Sequence, residues 1–171
     1  LARQLATLDQ MLGGRLTINI ISSDLPGQTL DGSPRYQRTR EIMQALRQFL
    51  NGEEVNMDGE HIRLELEPPR MQTASGKCPP FYFGGLSPAA RDVAAAEADV
   101  FLMWPDTMDK VAEILDDMRS RADSYDRTLK FGYRAHVIVR ETEAEARAAA
   151  DKLISKLDDS VGEEIRNRSL D

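Results

Sequence analysis

The chain has 171 residues, of which 41% are apolar, 30% charged and 6% aromatic, and its formal net charge is −7. This length fits one domain with a single core, and basic residues scattered among acidic ones disfavour a nucleic-acid-binding surface. The single cysteine, Cys78, excludes an internal disulfide, and the two histidines, His61 and His136, disfavour a histidine-rich metal centre. No apolar run approaches the roughly 20 residues that span a bilayer. We therefore expect a cytoplasmic protein that binds neither metal, membrane nor nucleic acid.

The first predicted element is a helix that has already begun at the first residue. Gly13-Gly14 ends this helix. Its leucines recur at helical spacing, at Leu1, Leu5, Leu8 and Leu12. The chain opens inside this helix without an initiator Met and ends in a charged stretch. We therefore expect it to be a piece of a longer protein.

The next stretch predicts a buried strand, a long loop and a second helix. Residues 16–21 form a short apolar run rich in β-branched side chains, as in a parallel strand. After a polar loop, residues 35–50 place apolar side chains on one helical face, and Asn51-Gly52 ends this helix. Residues 55–66 alternate around Asp58-Gly59, which predicts a half-exposed hairpin inserted into the main fold.

The remainder alternates regularly between strand and helix. The sequence predicts strands at 81–85, 100–104 and 130–139, and helices at 88–97, 107–124 and from Thr142 onward. Such alternation indicates parallel strands joined by right-handed crossovers. Two architectures fit it, an open doubly wound sheet and part of a (β/α)8 barrel. A whole barrel takes about 250 residues, more than this chain has. Because we expect the chain to be a piece of a longer protein, a fragment of a barrel is favoured over a complete open sheet.

The most informative candidate site lies between residues 82 and 90. A predicted strand ends in Gly84-Gly85, Ser87 is a preferred helix N-cap, and Pro88 suits the first helical position. The unpaired amides and the positive dipole end of such a helix attract an anion such as phosphate. The same residues also suit an ordinary turn with a serine cap, and both interpretations stay open here.

Polar residues also cluster near the end of the first predicted strand. Ser22 and Ser23 follow it, at the edge where barrel enzymes place their sites, and Asn19 is polar within the apolar run. Tyr36 lies at the start of the next helix, and its side chain is long enough for the hydroxyl to reach a bound phosphate. Each residue also has a purely structural interpretation. Ser22 and Ser23 would be ordinary loop hydroxyls, Asn19 a hydrogen-bonded core amide, and Tyr36 a ring packed under the loop.

Arg134 and His136 are two residues apart on the predicted strand at 130–139, so we expect both side chains on one face. A cation beside an imidazole inside a barrel is unfavourable unless the pair meets an anion, a proton or water. The alternative is a strand with a polar face toward solvent. A straight strand through Val139 would hold the pair away from the carboxyl edge, so the catalytic interpretation requires a bend near His136.

Three further residues carry weaker signals. Trp104 ends the strand at 100–104 and either lines an apolar pocket or packs in the core. Cys78, in the linker before Pro79, has no neighbour in sequence that would activate its thiol. His61, among charged residues of the hairpin, is expected at the surface.

Four motifs, taken in order, resemble the bacterial luciferase-like flavin monooxygenases, and most closely their alkanesulfonate monooxygenase branch. They are Gly13-Gly14-Arg15-Leu16-Thr17-Ile18-Asn19-Ile20, Arg35-Tyr36, Tyr82-Phe83-Gly84-Gly85-Leu86-Ser87, and Arg134-Ala135-His136-Val137-Ile138-Val139-Arg140-Glu141-Thr142-Glu143-Ala144-Glu145-Ala146. They span nearly the whole chain, and the last is the most specific. The resemblance implies a fragment of a (β/α)8 TIM barrel, with about four βα units and an inserted hairpin. Residues 1–171 would be part of one barrel domain without its N-terminal strands and its last strand.

The resemblance also implies a cofactor and partners. Family enzymes take FMN in its reduced form, FMNH2, from a separate NAD(P)H-dependent FMN reductase and use it with O2 to oxygenate a small substrate. In the sulfonate branch the carbon–sulfur bond of an organosulfur compound breaks, which gives an aldehyde and sulfite. A full-length member is expected to form a homo-oligomer.

Site residues carry over by position in the matching motifs. Ser87, with the amides of Gly85 and Leu86, would hold the FMN phosphate near Tyr36, and Ser22 and Ser23 would line the flavin site. The resemblance further implies that Arg134 stabilises the sulfonate or peroxide anion and that His136 positions or relays a proton.

The resemblance leaves the substrate open. Ser22-Ser23-Asp24 departs from the Thr-Gly-Gly common in close sulfonate enzymes. That branch also uses a cysteine and a histidine from its first strands, and Cys78 does not correspond to this cysteine. The alternatives are a relative that oxidises an aminopolycarboxylate, a deazaflavin-dependent relative, and a non-catalytic flavin-binding barrel subunit.

Overall fold

The computed structural model of the chain describes residues 1–22 and 32–168, with side chains described through residue 164. The helices are α1 (Ala2–Met11), α2 (Gly32–Leu50), α3 (Pro88–Glu97), α4 (Met108–Asp123), α5 (Glu143–Ile154) and α6 (Asp159–Arg168). The strands are β1 (Ile18–Ile20), β2 (Val55–Asp58), β3 (Arg63–Leu66), β4 (Phe81–Gly84), β5 (Val100–Met103) and β6 (Lys130–Tyr133). Strand and helix therefore alternate along the main fold as the sequence predicts.

Four of the strands form one parallel sheet in the order β1-β4-β5-β6. Ile18 lies opposite Phe81, and Phe101 lies opposite Phe83 on one side and Phe131 on the other. The two remaining strands, β2 and β3, form a separate antiparallel hairpin, in which Asp58 pairs with Arg63 and residues 59–62 make the turn. The structure is a fragment of a TIM-barrel-like fold with an inserted hairpin, which confirms the expected fold class.

The main core lies between this sheet and its helices. Phe81, Phe83 and Phe101 are fully buried on the helix-facing side of the strands. Met43 of α2 and Met118 of α4, also fully buried, pack into the same core. Sheet and helices therefore share one apolar layer, which fixes where each strand ends relative to the helix that follows.

The opposite side of the sheet, here called the inner face, carries the residues that alternate with the core residues. Side chains of successive strand residues point to opposite faces, so Asn19, Tyr82, Gly84, Leu102 and Gly132 share the inner face. Asn19 and Gly84 are exposed there. Asn19 is therefore not a buried core amide, which was one of the two sequence interpretations.

The last strand is shorter than the sequence predicts. β6 ends at Tyr133, whereas the apolar run predicted a strand at 130–139. The ladder to β5 continues for one more bond, from the Arg134 amide to the Met103 carbonyl at 3.0 Å. Beyond Met103 the neighbouring segment reaches Pro105, which has no amide hydrogen to extend the ladder. Arg134 therefore lies at the carboxyl edge without the bend that a longer strand would have required.

Two helices also differ from the sequence prediction. α2 begins at Gly32 rather than residue 35, because Pro34 in the first turn needs no amide partner. α6 forms where the sequence suggested only a solvated charged stretch, and Asp158 accepts a hydrogen bond from the Ser160 amide at its start (2.9 Å). None of the helices within the described residues is long and apolar enough to cross a membrane.

The hairpin is attached to α2 through one carboxylate. Glu41 is 4% exposed and accepts hydrogen bonds from three consecutive amides of the hairpin turn, those of Glu60 (3.0 Å), His61 (2.9 Å) and Ile62 (2.8 Å). A Cβ on Gly59 would lie 2.5 Å from a Glu41 carboxylate oxygen, so a larger residue there would displace the carboxylate from the turn amides. Glu41 thus fills the cavity that the turn amides make.

These contacts shift the acidity of Glu41. Burial by itself would raise the pKa of the carboxyl group. The hydrogen bonds from the three backbone amides, joined by the Gln37 side chain, favour the ionised form and outweigh burial, so the pKa is lowered. The attachment of the hairpin therefore depends on an ionised Glu41.

Glu41→Gln should release the hairpin turn and lower the free energy of unfolding by about 1–3 kcal/mol, because amides that bonded a carboxylate lose their charged acceptor. Since the folded pKa of Glu41 is lowered, its contribution is present above the ordinary value of 4.5 and is lost as pH falls through the folded pKa. Urea unfolding at neutral pH and at pH about 3 measures both effects.

Glu65→Gln, an exposed carboxylate on β3 of the same hairpin, is the matched control. We expect its unfolding free energy to follow that of the unmodified chain at both pH values. Equal losses in the two variants, or an unchanged Glu41→Gln chain, would contradict the role given to Glu41.

Candidate functional site

The parallel sheet brings the candidate residues to one edge. Ser22 lies two residues beyond β1, and Ser87 lies three residues beyond β4. Trp104 directly follows β5, and Arg134 directly follows β6. Neighbouring strands are about 4.8 Å apart, so the ends of β4 and β6 are roughly 10 Å apart across β5. An extended ligand is long enough to contact both ends.

The β4–α3 turn has the geometry of an anion-binding helix start. Ser87 is the N-cap of α3, its Oγ accepts a hydrogen bond from the Ala90 amide at 3.3 Å, and Pro88 occupies the first helical position. The amides of Leu86 and Ala89 make no hydrogen bond within the described part of the chain. These amides and the hydroxyl hydrogen of Ser87 are therefore free to donate to an anion.

Gly85 and Tyr36 meet at this turn. A Cβ on Gly85 would lie 2.6 Å from the Ala90 Cβ, so the close packing of the turn on α3 requires glycine. The same position lies 3.6 Å from the Tyr36 hydroxyl oxygen. The Tyr36 ring is 6% exposed and packs edge-on against Phe83, with the ring centroids 6.4 Å apart. The structure thus places the Tyr36 hydroxyl beside the predicted phosphate site.

Ser22 contacts α2 at the end of β1. The Thr39 Oγ1 lies 2.9 Å from the Ser22 Oγ and 3.0 Å from the Arg35 carbonyl oxygen. Ser22 is half-buried and Thr39 is buried. Ser23, the other serine predicted to line a flavin site, lies outside the described residues.

Arg134 stacks on Trp104 at the other end of the edge. The guanidinium carbon lies 4.2 Å from the centroid of the Trp104 ring, which is 48% exposed. A guanidinium over an indole face is attracted by the ring quadrupole. Trp104 therefore restricts where the exposed Arg134 guanidinium lies at this edge of the sheet.

The Trp104 contact is the main feature that sequence reasoning missed. The sequence left Trp104 open between a pocket wall and a core residue, and the exposed, stacked ring is not a core residue. The available signal was positional: Trp104 and Arg134 each end a predicted strand, and those strands are neighbours in the sheet. Pairing the strand ends would have placed the two side chains together.

His136 is not joined to Arg134 by a hydrogen bond within the described residues. It lies beyond the end of β6 and is exposed, as is Arg134. The expectation of a continuous strand through both residues is therefore wrong, because β6 ends at Tyr133. His136 still lies near the carboxyl edge, two residues from the stacked arginine.

Other chemistries find less support. Within the side chains described, no group of three or more His, Cys, Asp and Glu residues is placed to hold a metal ion. His61 is exposed in the hairpin, as the sequence predicts. Burial raises the pKa of the Cys78 thiol to about 12, with a smaller lowering by Arg47 and a further increase from Asp99. Cys78 is therefore a poor nucleophile at neutral pH.

Sequence comparison connects these features to known proteins. The sequence model of the family described as "Luciferase-like monooxygenase" matches residues 1–169. A sulfoquinovose monooxygenase from Novosphingobium aromaticivorans is 60% identical over 178 residues, an alignment that covers 100% of this chain and 49% of the relative. A sulfoquinovose monooxygenase from Agrobacterium fabrum is 47% identical over 174 residues, covering 100% of this chain and 45% of the relative. The chain spans about half the length of the curated relatives it matches.

Structural comparison finds the same fold in more distant proteins. EDTA monooxygenase from Chelativorans sp. BNC1 superposes with a TM-score of 0.80 at 16% identity, over 92% of this chain and 43% of that one. The coenzyme F420-dependent tetrahydromethanopterin reductase of Methanopyrus kandleri superposes with a TM-score of 0.74 at 19% identity, over 90% of this chain and 50% of that one. At these identities the similarity concerns the fold.

The geometry predicts that Cys78 is unreactive while the chain is folded. With a pKa of about 12, its thiolate fraction at pH about 8 is roughly 1,000-fold below that of an ordinary exposed thiol. An aromatic disulfide reagent should therefore modify the folded chain slowly and the chain in guanidinium rapidly, as followed by absorbance. Comparable rates in both conditions would contradict this assignment.

Proposed function

The chain belongs to the luciferase-like monooxygenase family, and from that membership we propose that it supplies part of a flavin-dependent monooxygenase acting on a small sulfonate. The observation that carries the proposal is the pairing of two anion-binding features on one sheet edge. One is the helix start capped by Ser87, and the other is the Arg134 guanidinium stacked on Trp104. The chain contributes these residues to a site in a protein of about twice its length.

The β4–α3 turn fits the phosphate of FMN. The amide of Leu86, which bonds to no other described residue, and the hydroxyl of Ser87 are donors at the positive end of a helix dipole. Gly85 lets the turn pack directly on the start of α3, because a Cβ there would lie 2.6 Å from the Ala90 Cβ, and this packing keeps the turn beside the Tyr36 hydroxyl. The Tyr36 hydroxyl is a further donor beside the turn. Ser22, with Ser23, is proposed to line the remainder of the flavin.

Arg134 is proposed to bind the substrate anion. A guanidinium offers a planar fork of donors that matches the oxygens of a sulfonate, and stacking on Trp104 keeps that fork in one orientation. A fixed cation also stabilises negative charge that develops during oxygen transfer. His136, exposed two residues farther on, is proposed to position or relay a proton.

FMN, reduced by a separate NAD(P)H-dependent reductase, supplies the electrons that activate O2 when it is bound. The protein groups do the remaining work at this edge. Ser87 and the turn amides would hold the cofactor phosphate, while Arg134, at the end of β6 two strands away, would hold the substrate anion. Cleavage of the carbon–sulfur bond then leaves an aldehyde carbon and releases sulfite.

The substrate class is refined by the curated relatives. Both relatives reported above carry the name sulfoquinovose monooxygenase. This favours a sugar sulfonate over the simple alkanesulfonate that the sequence resemblance suggested. Sugar hydroxyls add hydrogen-bonding groups, and exposed polar residues such as Asn19 on the inner face suit them.

A deazaflavin cofactor is the second candidate. One structural neighbour is described as coenzyme F420-dependent, and a helix start that binds phosphate serves either cofactor, because both carry a phosphate group. The two candidates are distinguished by direct titration with FMN and with the deazaflavin.

Ser87→Ala should weaken FMN binding by about 10-fold in the complete protein, because the phosphate loses a hydroxyl donor and the helix start loses its cap. Flavin fluorescence titration gives the dissociation constant. Ser87→Thr, which keeps the hydroxyl, should retain most of the affinity. Thr142→Ala, which removes the cap of α5 instead, is the control for loss of a cap alone. Unchanged affinity in Ser87→Ala would refute the phosphate assignment.

Arg134→Ala should lower turnover by about 100-fold or more and leave FMN affinity within about twofold, because the guanidinium contacts the substrate and not the cofactor phosphate. The measurement is sulfite release by the complete protein with a flavin reductase and NADH, over a panel that includes sulfoquinovose and simple alkanesulfonates. Arg134→Lys keeps the positive charge but loses the planar set of guanidinium donors, so we expect its turnover to lie between those of Arg134→Ala and the unmodified protein. Sulfite release at the unmodified rate would contradict the role of Arg134.

A further inference from the structure

We propose that Thr39 is a positioning residue that makes the Ser22 hydroxyl a hydrogen-bond acceptor for a hydroxyl or N–H group of the bound flavin. The inference rests on the proposed function, since it concerns how the same edge of the sheet recognises its cofactor. It assigns a role to α2 beyond that of Tyr36. It also predicts that Ser22 contacts a part of the flavin other than the phosphate.

The two hydroxyls are held between β1 and α2. Thr39 is 7% exposed and lies one turn after Tyr36 on the buried side of α2. Ser22 is half-buried at the carboxyl edge, where β1 ends. Since Tyr36 itself lies beside Gly85, Ser22 lies on the cofactor side of the edge rather than beside Arg134.

The two contacts of the Thr39 hydroxyl are both hydrogen bonds in only one arrangement of the hydroxyl hydrogens. Thr39 Oγ1 lies 3.0 Å from the Arg35 carbonyl oxygen and 2.9 Å from the Ser22 Oγ. A carbonyl oxygen only accepts, so the single hydroxyl hydrogen of Thr39 is used in the bond to Arg35. The contact with Ser22 is a hydrogen bond only if Ser22 donates. Both bonds are made together in this one arrangement of hydrogens.

The consequence is a defined polarity at Ser22. In this arrangement the Ser22 hydroxyl hydrogen points toward Thr39, and the lone pairs of its oxygen, which accept no other hydrogen bond within the described residues, remain for a ligand. A lone pair attracts a hydroxyl or N–H donor and repels the oxygens of a phosphate dianion. Ser22 is therefore suited to a ribityl hydroxyl or a ring N–H of the flavin, and the phosphate is left to the Ser87 turn.

Matched variants of Thr39 isolate this effect. Thr39→Val keeps the branched shape and removes the hydroxyl, so the hydrogen of Ser22 is free to rotate into the ligand position. Thr39→Ser keeps the hydroxyl and removes only a methyl group. We expect Thr39→Val to weaken binding of oxidised FMN by about 3- to 10-fold, and Thr39→Ser to stay within about twofold of the unmodified protein.

The experiment measures the affinities of FMN and riboflavin by fluorescence titration of the complete protein, for Thr39→Val, Thr39→Ser, Ser22→Ala and the double variant Ser22→Ala/Thr39→Val. If Thr39 acts through Ser22, the double variant binds no more weakly than Ser22→Ala. Because riboflavin keeps the ribityl hydroxyls and lacks the phosphate, Thr39→Val should weaken both ligands equally. Ser87→Ala should weaken FMN alone.

Two results would overturn the inference and leave the proposed function in place. One is a Thr39→Val variant that binds FMN with the same affinity as the unmodified protein, while Ser87→Ala still weakens FMN binding. The other is a Thr39→Val effect that persists in full in the Ser22→Ala background, which marks a general packing role. Failure of the unmodified protein to bind either flavin would overturn the proposed function together with the inference.

Discussion

The parallel alignment of four strands is the constraint on which the rest of the structure depends. Because β1, β4, β5 and β6 all run the same way, their carboxyl ends meet at one edge, and each following segment begins there. Residues distant in sequence, Ser22, Ser87, Trp104 and Arg134, are thereby neighbours or near-neighbours across strand spacings of about 4.8 Å. An antiparallel strand at any of these positions would move its residue to the opposite edge.

Close packing between strands and helices makes this arrangement rigid. A Cβ on Gly84 would lie 2.7 Å from the Leu102 carbonyl oxygen, and a Cβ on Gly132 would lie 2.6 Å from a Leu102 methyl carbon. Gly85 is equally restricted by Ala90 of α3. Gly84 therefore lets β4 lie close to the backbone of β5, and Gly85 lets α3 start directly after β4. These two contacts position the turn that contains Ser87 relative to the neighbouring strand end.

Local patterns predicted the fold and one end of the site, whereas contacts between strand ends were harder to predict. Ser87-Pro88 after two glycines is a signal within a few residues, and the structure forms the expected helix cap there. The end of β6 depends on Pro105, which belongs to the segment beside it rather than to β6 itself. The stacking of Arg134 on Trp104 and the contact of Thr39 with Ser22 likewise join segments that only the folded sheet brings together.

The two faces of the sheet have different roles: one packs in the apolar core, and the other presents groups to a ligand. Helix-facing residues such as Phe81, Phe83 and Phe101 are fully buried, while the alternating residues of the inner face contribute little to that apolar layer. Exchange of an exposed inner-face side chain such as Asn19 therefore changes the groups that this face presents and removes little buried apolar contact. The same scaffold, at 16–19% identity, occurs in proteins named for ligands as dissimilar as EDTA and tetrahydromethanopterin.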